Sequence, residues 1–523
     1  MGTVPPHTNR VLTLYEQARR QEDDPYPNKD FSNNLAGWDG QNDIRHPRNW
    51  RLTLKLPLLT TITALAFMST CTASVPSLIL SRIIHFGSMP KPDEKPNDTA
   101  DSFIVTSYML GLAIGSLIIS PLTDAGGRRH LLFLSSILFS TFASGCAAAN
   151  HLYTLVFLRF FAGLFAAVCL NVGCGHVIEM FAVQHRAKAI AFYSLPVFVA
   201  PPIGAFFGLR VEKEEGGWIW VFQLWCILLW AVTFVSFFDN HETNPATLMN
   251  DEIFELQKIH PNLQNPYRLR QGWTTKVDSV MFRRALWVPW KLLGLSRIVT
   301  AISLYLAALF GIVYLLSTSV PEMYVSTYGW RDDIATLVPL GVGVGSILAA
   351  GFVAFENDRR AVILRSMNNN VYQPEMRLPL CLLFGIMVPS GIFLYTWSIH
   401  YHSHWFVPIL GLALVGLGIT GLYIPFQVYL VESFPFNPAA AMGVVTALRW
   451  IAAASLSYAG PALYGTLGNN WGNTLLGFIA LALVPFPSLI HRHGVRIRRK
   501  YNVRLMGEPQ RRPGSDIELS STA

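Results

Sequence analysis

YTLVFLRFFAGLFAAVCLNVGCGHVIEM, residues 153–180, decides the fold. In this stretch the only ionisable groups besides tyrosine and cysteine are Arg159, His176 and Glu179, and the rest is apolar or small. About 20 apolar residues let an α-helix cross roughly 30 Å of hydrocarbon. Inside lipid every backbone N–H and C=O must be bonded within the segment, so the stretch has to be a helix. Eleven more stretches read the same way. The twelve predicted spans are 54–80, 102–122, 131–149, 153–180, 187–209, 218–238, 298–320, 334–355, 378–398, 405–430, 438–463 and 471–490. The expected fold class is an all-α membrane protein of twelve transmembrane helices.

Composition agrees. Apolar residues make up 51% of the 523, charged residues only 14%, and the mean hydropathy is +0.35. A soluble domain carries about 25% charged residues. The 33 Phe and 14 Trp suit lipid-facing surfaces and interfacial anchors. The net charge of +8 would suggest a nucleic-acid partner in a soluble protein, but its distribution assigns it to topology. With the N-terminus inside, cytoplasmic segments hold 32 Lys and Arg and outside loops hold 6, with Arg159 and Arg449 inside spans. Both termini are therefore expected in the cytoplasm.

The six cysteines all fall inside apolar runs, so neither a disulfide framework nor a metal site is implied. The polar start excludes a cleaved signal peptide, leaving span one as the insertion signal. Residues 1–52 read as a disordered cytoplasmic tail and 491–523 as a basic one. The loop 240–297 divides the spans six and six, giving bundles 53–239 and 298–490. Its Trp287, Pro289, Trp290 and Lys291 suggest an interfacial helix on the inner leaflet. Asn97-Asp98-Thr99 is the sole N-glycosylation sequon, on the outside of this topology.

The halves echo each other. Span two carries Gly111 and Gly115 and runs into Ser120-Pro-Leu-Thr-Asp124-Ala-Gly-Gly127-Arg128-Arg129. Span eight carries Gly341, Gly343, Gly345 and Gly351 and runs into Glu356-Asn-Asp358-Arg359-Arg360. Such a six-plus-six repeat of pseudo-symmetric helix bundles is a transporter signature. After span two, Gly127 permits a tight turn and Asp124 sits at a helix end balanced by Arg128 and Arg129. Arg159 in span four is a costly intramembrane charge, and by default such a charge is functional. Its place about two turns into the span also allows it to snorkel to the outer headgroups. Span five holds Pro196, Pro201, Pro202 and Gly204, which predict a bend.

These motifs, with His46-Pro-Arg-Asn-Trp50, Pro374-Glu-Met-Arg377, Tyr429-Leu-Val-Glu432, Leu448-Arg449 and Trp471-Gly472, resemble the major facilitator superfamily. Within it, the chain is similar to the twelve-span fungal drug:H+ antiporters over about residues 43–501. The resemblance implies a conformational latch at Asp124, Gly127, Arg128 and Arg129, with Ser120 and Ala125 departing from the family pattern. It implies a proton-coupling role for Arg159 and a cavity-lining bend at Pro196, Pro201, Pro202 and Gly204, with Ala200 and Ala205 where glycines are usual.

Candidate cavity residues by position are Asn171, Tyr305, Tyr314, Tyr423 and Gln427, although for any single one packing within the bundle is the favoured reading. His176 is a second candidate for carrying protons, with a hydrogen-bonded structural histidine as the alternative. Spans one, two, seven and eight have no acid at mid-membrane depth, since Glu179, Asp239, Glu322 and Glu356 all lie near span ends. A polyamine carrier usually presents such an acid, so neutral or weakly charged lipophilic substrates are expected.

The expected function is a proton-coupled exporter of drugs, toxins or secondary metabolites, working as a monomer by alternating access. Its partners are a small-molecule substrate, protons and the bilayer, with no cofactor. The plasma membrane is expected, with the vacuolar membrane as alternative. The competing readings are a nutrient importer or facilitator, a polyamine carrier, and a transporter-like sensor. Residues 240–297 and 491–523 are too short and plain for a sensor's signalling domain. No Walker sequence supports ATP-driven export. No His-rich cluster or inward carboxylate pair supports a membrane enzyme.

Overall fold

The computed structural model describes residues 35–36, 38, 43–74, 98–149, 151–182, 185–215, 218–239, 241–259, 268–269, 279–368, 372–434 and 437–506. Asn97 lies outside them. Among the described residues the chain is almost wholly helical, and eleven stretches are long and apolar enough to cross a membrane. The last, Pro438–Arg498, contains spans eleven and twelve together, divided at Gly468 where φ is +72°. Twelve spans are thus present.

Span four runs Leu152–Met180, close to its expected bounds. Others are longer than hydropathy alone indicates. Span seven is Arg297–Tyr328, stopped by Gly329 in the left-handed conformation (φ +65°) that terminates helices. Span eight is Leu340–Met367 and continues beyond the apolar run, its exposed extension carrying an i,i+4 pair of Glu356 with Arg360 at 2.7 Å. Hydropathy registers where lipid ends, and the helix ends only where capping or backbone geometry demands it.

Spans two (Asp98–Ile118) and four pack backbone to backbone. A Cβ on Gly115 would lie 2.1 Å from the Leu164 carbonyl oxygen. Spans eight and ten (Phe406–Ser433) repeat the arrangement, with Gly345 as close to the Ala413 carbonyl, at 1.9 Å. The expected internal echo is therefore a repeat of packing as well as of sequence.

The tail expected to be disordered up to residue 52 is structured in its described part. Leu35–Ala36 pairs in parallel with Arg268–Leu269, and Trp38 is buried beside Met249. His46 packs edge-on against Trp38 at 4.7 Å, and Arg45 reaches Glu252 at 3.2 Å. Apolar burial is what the reading missed, because a lone Trp shows no periodicity. The loop 240–297 supplies the other side through helix Pro245–Ile259 and strand Arg268–Leu269, while its second helix, Ser279–Leu295, exposes Trp287 and Trp290.

Candidate functional site: crossed caps at one end of the bundle and a cavity between the halves

The turn after span two is built around Gly127, whose φ of +86° favours glycine. The turn folds Arg128 back into the bundle, buried, with Nη2 3.3 Å from Asp124 and 2.9 Å from Glu179. Gly175 makes this possible: a Cβ there would lie 1.3 Å from Arg128 Nη1. The second Glu179 oxygen accepts from Thr243 at 2.7 Å. Glu242 accepts from the backbone N–H of both Arg128 and Arg129, at 3.1 and 3.0 Å.

Asp124 also crosses to the other half. Its Oδ2 accepts from the backbone N–H of Ala439 and Ala440, at 3.1 and 3.2 Å. Pro438 opens that helix, so these are unsatisfied donors of a helix start, where the helix dipole favours an anion. The C-terminal half answers in kind. Asp358 accepts from the backbone N–H of Ala187, at 3.3 Å, and of Lys188, at the start of helix Arg186–Ser194 in the N-terminal half. Arg377 donates to Asp358 at 2.6 Å and to Glu432 at 3.1 Å. Tyr372 donates to Glu432, and Arg186 lies 3.6 Å from the same carboxylate. Burial pulls the Arg377 guanidinium down, but Glu432, Tyr372 and Asp358 outweigh it and hold it above its ordinary value. Each half thus caps a helix of the other, and the molecule is closed at the end that carries these caps.

This C-terminal network was not assigned from sequence. The signal was present in Asp358, Arg377 and Glu432, but they are dispersed over 75 residues and only the fold unites them. Glu179, read as lying near a span end, and Glu432 are both committed to these networks.

Span five comprises Arg186–Ser194 and Pro196–Glu215, with Leu195 between them in right-handed helical conformation (φ −53°, ψ −43°). Pro196 has no N–H to donate, so one backbone bond of the span is missing at this point. Pro201 and Pro202, expected to make the bend, lie inside the second helix. Gly204 brings span one close, since a Cβ there would be 3.0 Å from Ser74 Oγ. Ser74 in turn donates to the Pro201 carbonyl at 2.9 Å.

Between the halves, away from the caps, lies a cavity of about 110 Å3. Pro201, Pro202, Phe198, Phe310, Tyr314 and Thr318 are among its lining residues, and no charged side chain is. Beneath it the halves meet at Ser194, which donates to Gln427 at 2.5 Å, and at Phe198 against Tyr423, 5.5 Å between rings.

Of the five expected cavity residues, Tyr314 lines this cavity, and Tyr423 and Gln427 form the contact under it. Asn171 does not: its amide is shared between Ser116 and Ser120, each at 2.9 Å, inside the N-terminal half. Ser120, the departure from the family glycine, is what holds it. Tyr305 does not either, stacking on Phe486 at 4.5 Å. Ring size and polarity suggested a lining role, and helix rotation decided otherwise.

Arg159 is buried rather than snorkelling. It donates to the Ile104 carbonyl at 2.9 Å and the Thr72 carbonyl at 3.4 Å, and lies over the Tyr108 ring at 5.2 Å. Beside it is a void of about 20 Å3, room for one water, lined also by Cys146, Trp225 and Cys226. His176 is buried with Nδ1 3.1 Å from the Val172 carbonyl and Nε2 without a partner. Arg449 is buried in span eleven over the rings of Phe310 and Tyr423, at 4.7 and 4.8 Å.

The chain matches the family model described as Major Facilitator Superfamily over residues 58–458. It is 34% identical to the MFS transporter cpaT of Aspergillus oryzae, covering 88% of this chain and 91% of that one. It is 30% identical to the efflux pump radE of Floropilus chiversii, covering 89% and 85%. Its fold is similar to that of the proton:xylose symporter XylE, with TM-score 0.63, 15% identity, and coverage of 84% of this chain and 96% of that one. A pseudo-symmetric pair of six-helix bundles, capped crosswise at one end and matched along most of its length by this family, leaves one assignment: the chain belongs to the Major Facilitator Superfamily of membrane transporters.

Proposed function

We propose that this transporter exports small lipophilic compounds across the plasma membrane in exchange for protons, by alternating access. The observation that carries the substrate class is the outer cavity, apolar apart from a few hydroxyls and free of charged lining residues. Such a surface favours lipophilic solutes and offers a polyamine no counter-charge. The direction is supported by relatives named as efflux pumps and as transporters of fungi. The coupling is supported by Arg159, a buried cation whose Nη1 has no partner and which lies beside a water-sized void. The closed inner caps and the outer cavity correspond to an outward-directed stage of the cycle, with both termini in the cytoplasm and the monomer as working unit.

The test is uptake of a neutral lipophilic dye into inverted plasma-membrane vesicles with an acid interior. The expected result is accumulation that collapses when the pH gradient is dissipated. Arg159→Ala is expected to reduce gradient-driven uptake by about tenfold or more, while the protein still reaches the membrane. Uptake that ignores the gradient would remove proton coupling, and near-normal gradient-driven uptake in Arg159→Ala would remove this residue from it.

A further inference from the structure

Four arginines in the described residues are almost fully buried at their side chains: Arg128, Arg159, Arg377 and Arg449. Arg128 and Arg377 are each matched by carboxylates, and Arg159 donates to two carbonyls. Arg449 differs. No carboxylate lies within ion-pairing distance of it among the described residues, and its Nε and Nη1 are both without a hydrogen-bond partner. Its satisfied contacts are the two ring faces and the Tyr423 hydroxyl. Arginine is a permanent cation, so it cannot escape burial by losing a proton. Two cation–π contacts recover about 0.5–2 kcal/mol each. An unpaired buried charge costs several kcal/mol. The deficit requires an anion at some stage of the cycle.

The position of Arg449 says which anion. It is eleven residues into the helix that starts at Pro438, roughly 16 Å from its inner end and close to the bilayer midplane. Phe310, on which the guanidinium lies, is also a floor residue of the outer cavity. Phe198, from the opposite half, covers Phe310 and Tyr423 at 6.2 and 5.5 Å. Trp450 closes the ring layer against Phe310 at 5.5 Å. Arg449 is therefore one aromatic layer below the cavity, at the seam where Phe198 and Ser194 of one half meet Tyr423 and Gln427 of the other. When the halves part on the inner side, that seam opens and the free donors face the entering solute.

We propose that Arg449 binds the charged group of the substrate, and that this carrier takes amphiphilic organic monoanions: an aromatic body bearing one carboxylate or phenolate. The rings accommodate the body and the guanidinium accepts the single negative charge. This rests on the exporter reading and narrows its substrate class.

The experiment compares two radiolabelled probes of one shape, 1-naphthoate and the neutral 1-naphthamide. Equilibrium binding to the purified full chain at neutral pH is measured alongside uptake of each into inverted vesicles. Naphthoate is expected to bind about tenfold or more tightly than naphthamide, as a charge-assisted contact predicts. Arg449→Gln is expected to remove that preference by weakening naphthoate while leaving naphthamide within about twofold. Arg449→Lys keeps part of it. Equal affinities in the wild-type protein overturn the proposal without needing any variant to fold. Equal loss of both probes in Arg449→Gln, or an undiminished preference there, overturns it as well. Gradient-driven uptake of naphthamide without anion preference defeats the Arg449 assignment and leaves the exporter standing, whereas no gradient-driven uptake of either probe defeats both.

Discussion

At the scale of the residue, the inner closure depends on one absent methyl group. Arg128 reaches Asp124 and Glu179 only because residue 175 is glycine. Gly175→Ala would place a carbon 1.3 Å from Nη1, so the guanidinium must leave. Breaking a buried ion pair costs about 3–5 kcal/mol, and Asp124, no longer held by Arg128, then caps the helix start at Ala439 and Ala440 less well. A cysteine placed near Ala440 should then become reactive to membrane-permeant thiol reagents several times faster than in the parent. Unchanged labelling would show that the arginine finds another route. Asp124→Asn is a gentler change, since the amide still accepts from Ala439 and Ala440 but loses the charge that favours the helix start. It is expected to slow saturated turnover roughly 2- to 30-fold, with equilibrium affinity for substrate nearly unchanged. Weakened affinity with normal turnover would contradict a role in closure.

The residue scale also shows where sequence reasoning stops. Asp124, Gly127 and Arg128 lie within five positions, so their shared turn is legible. Arg377, Asp358 and Glu432 perform the matching task from three separate elements, and nothing local links them. Asn171 and Tyr305 show the converse: a polar or aromatic residue in a span has a face that hydropathy cannot assign. Helix rotation follows from close packing, at Gly115 for example, and that is a tertiary property.

At the scale of the element, span positions were legible because lipid imposes length, while helix ends were not, as the extensions to Tyr328 and Met367 show. The described part of the N-terminal segment is a clearer case. His46 is held in its neutral form there, its pKa pushed down to about 3 by burial and by the charges of Arg48 and Lys55. The ordinary imidazole value is about 6.5, so the packed segment is fully stabilised above that pH. As pH falls from about 6.5 towards 3, the released segment takes up a proton that the packed one refuses, and the contact weakens. The protection factors of the backbone amides over residues 43–50, each taken against the intrinsic rate at the same pH, are expected to be lower near pH 5 than near pH 7. Equal protection at both would remove His46 from the contact.

At the scale of the whole molecule, the two caps work in parallel. Asp124 reaches the C-terminal half and Asp358 the N-terminal half, so losing either leaves the inner side still fastened at one point. Asp124→Asn and Asp358→Asn singly should each leave substantial transport. Together they should shift the population towards the inward-open form by more than the product of the single effects, because each cap keeps the other's partners in register. Spin-label distances across the inner side, measured for both singles and the double, would show this. Strict additivity would mean that the caps act independently.

The chemistry of those caps bears on how such a chain can change over generations. Each carboxylate is received by main-chain amides, at Ala439 and Ala440 on one side and at Ala187 and Lys188 on the other. Any residue except proline presents the same donor there. The hydrogen bond itself therefore asks nothing of the receiving side chains, which burial keeps small at Ala187, Ala439 and Ala440, and only the aspartates are held by the contact. Halves from two diverged carriers would still recognise each other at this seam, so recombination between distant relatives can reshuffle the solute-facing surfaces without first having to reinvent the gate.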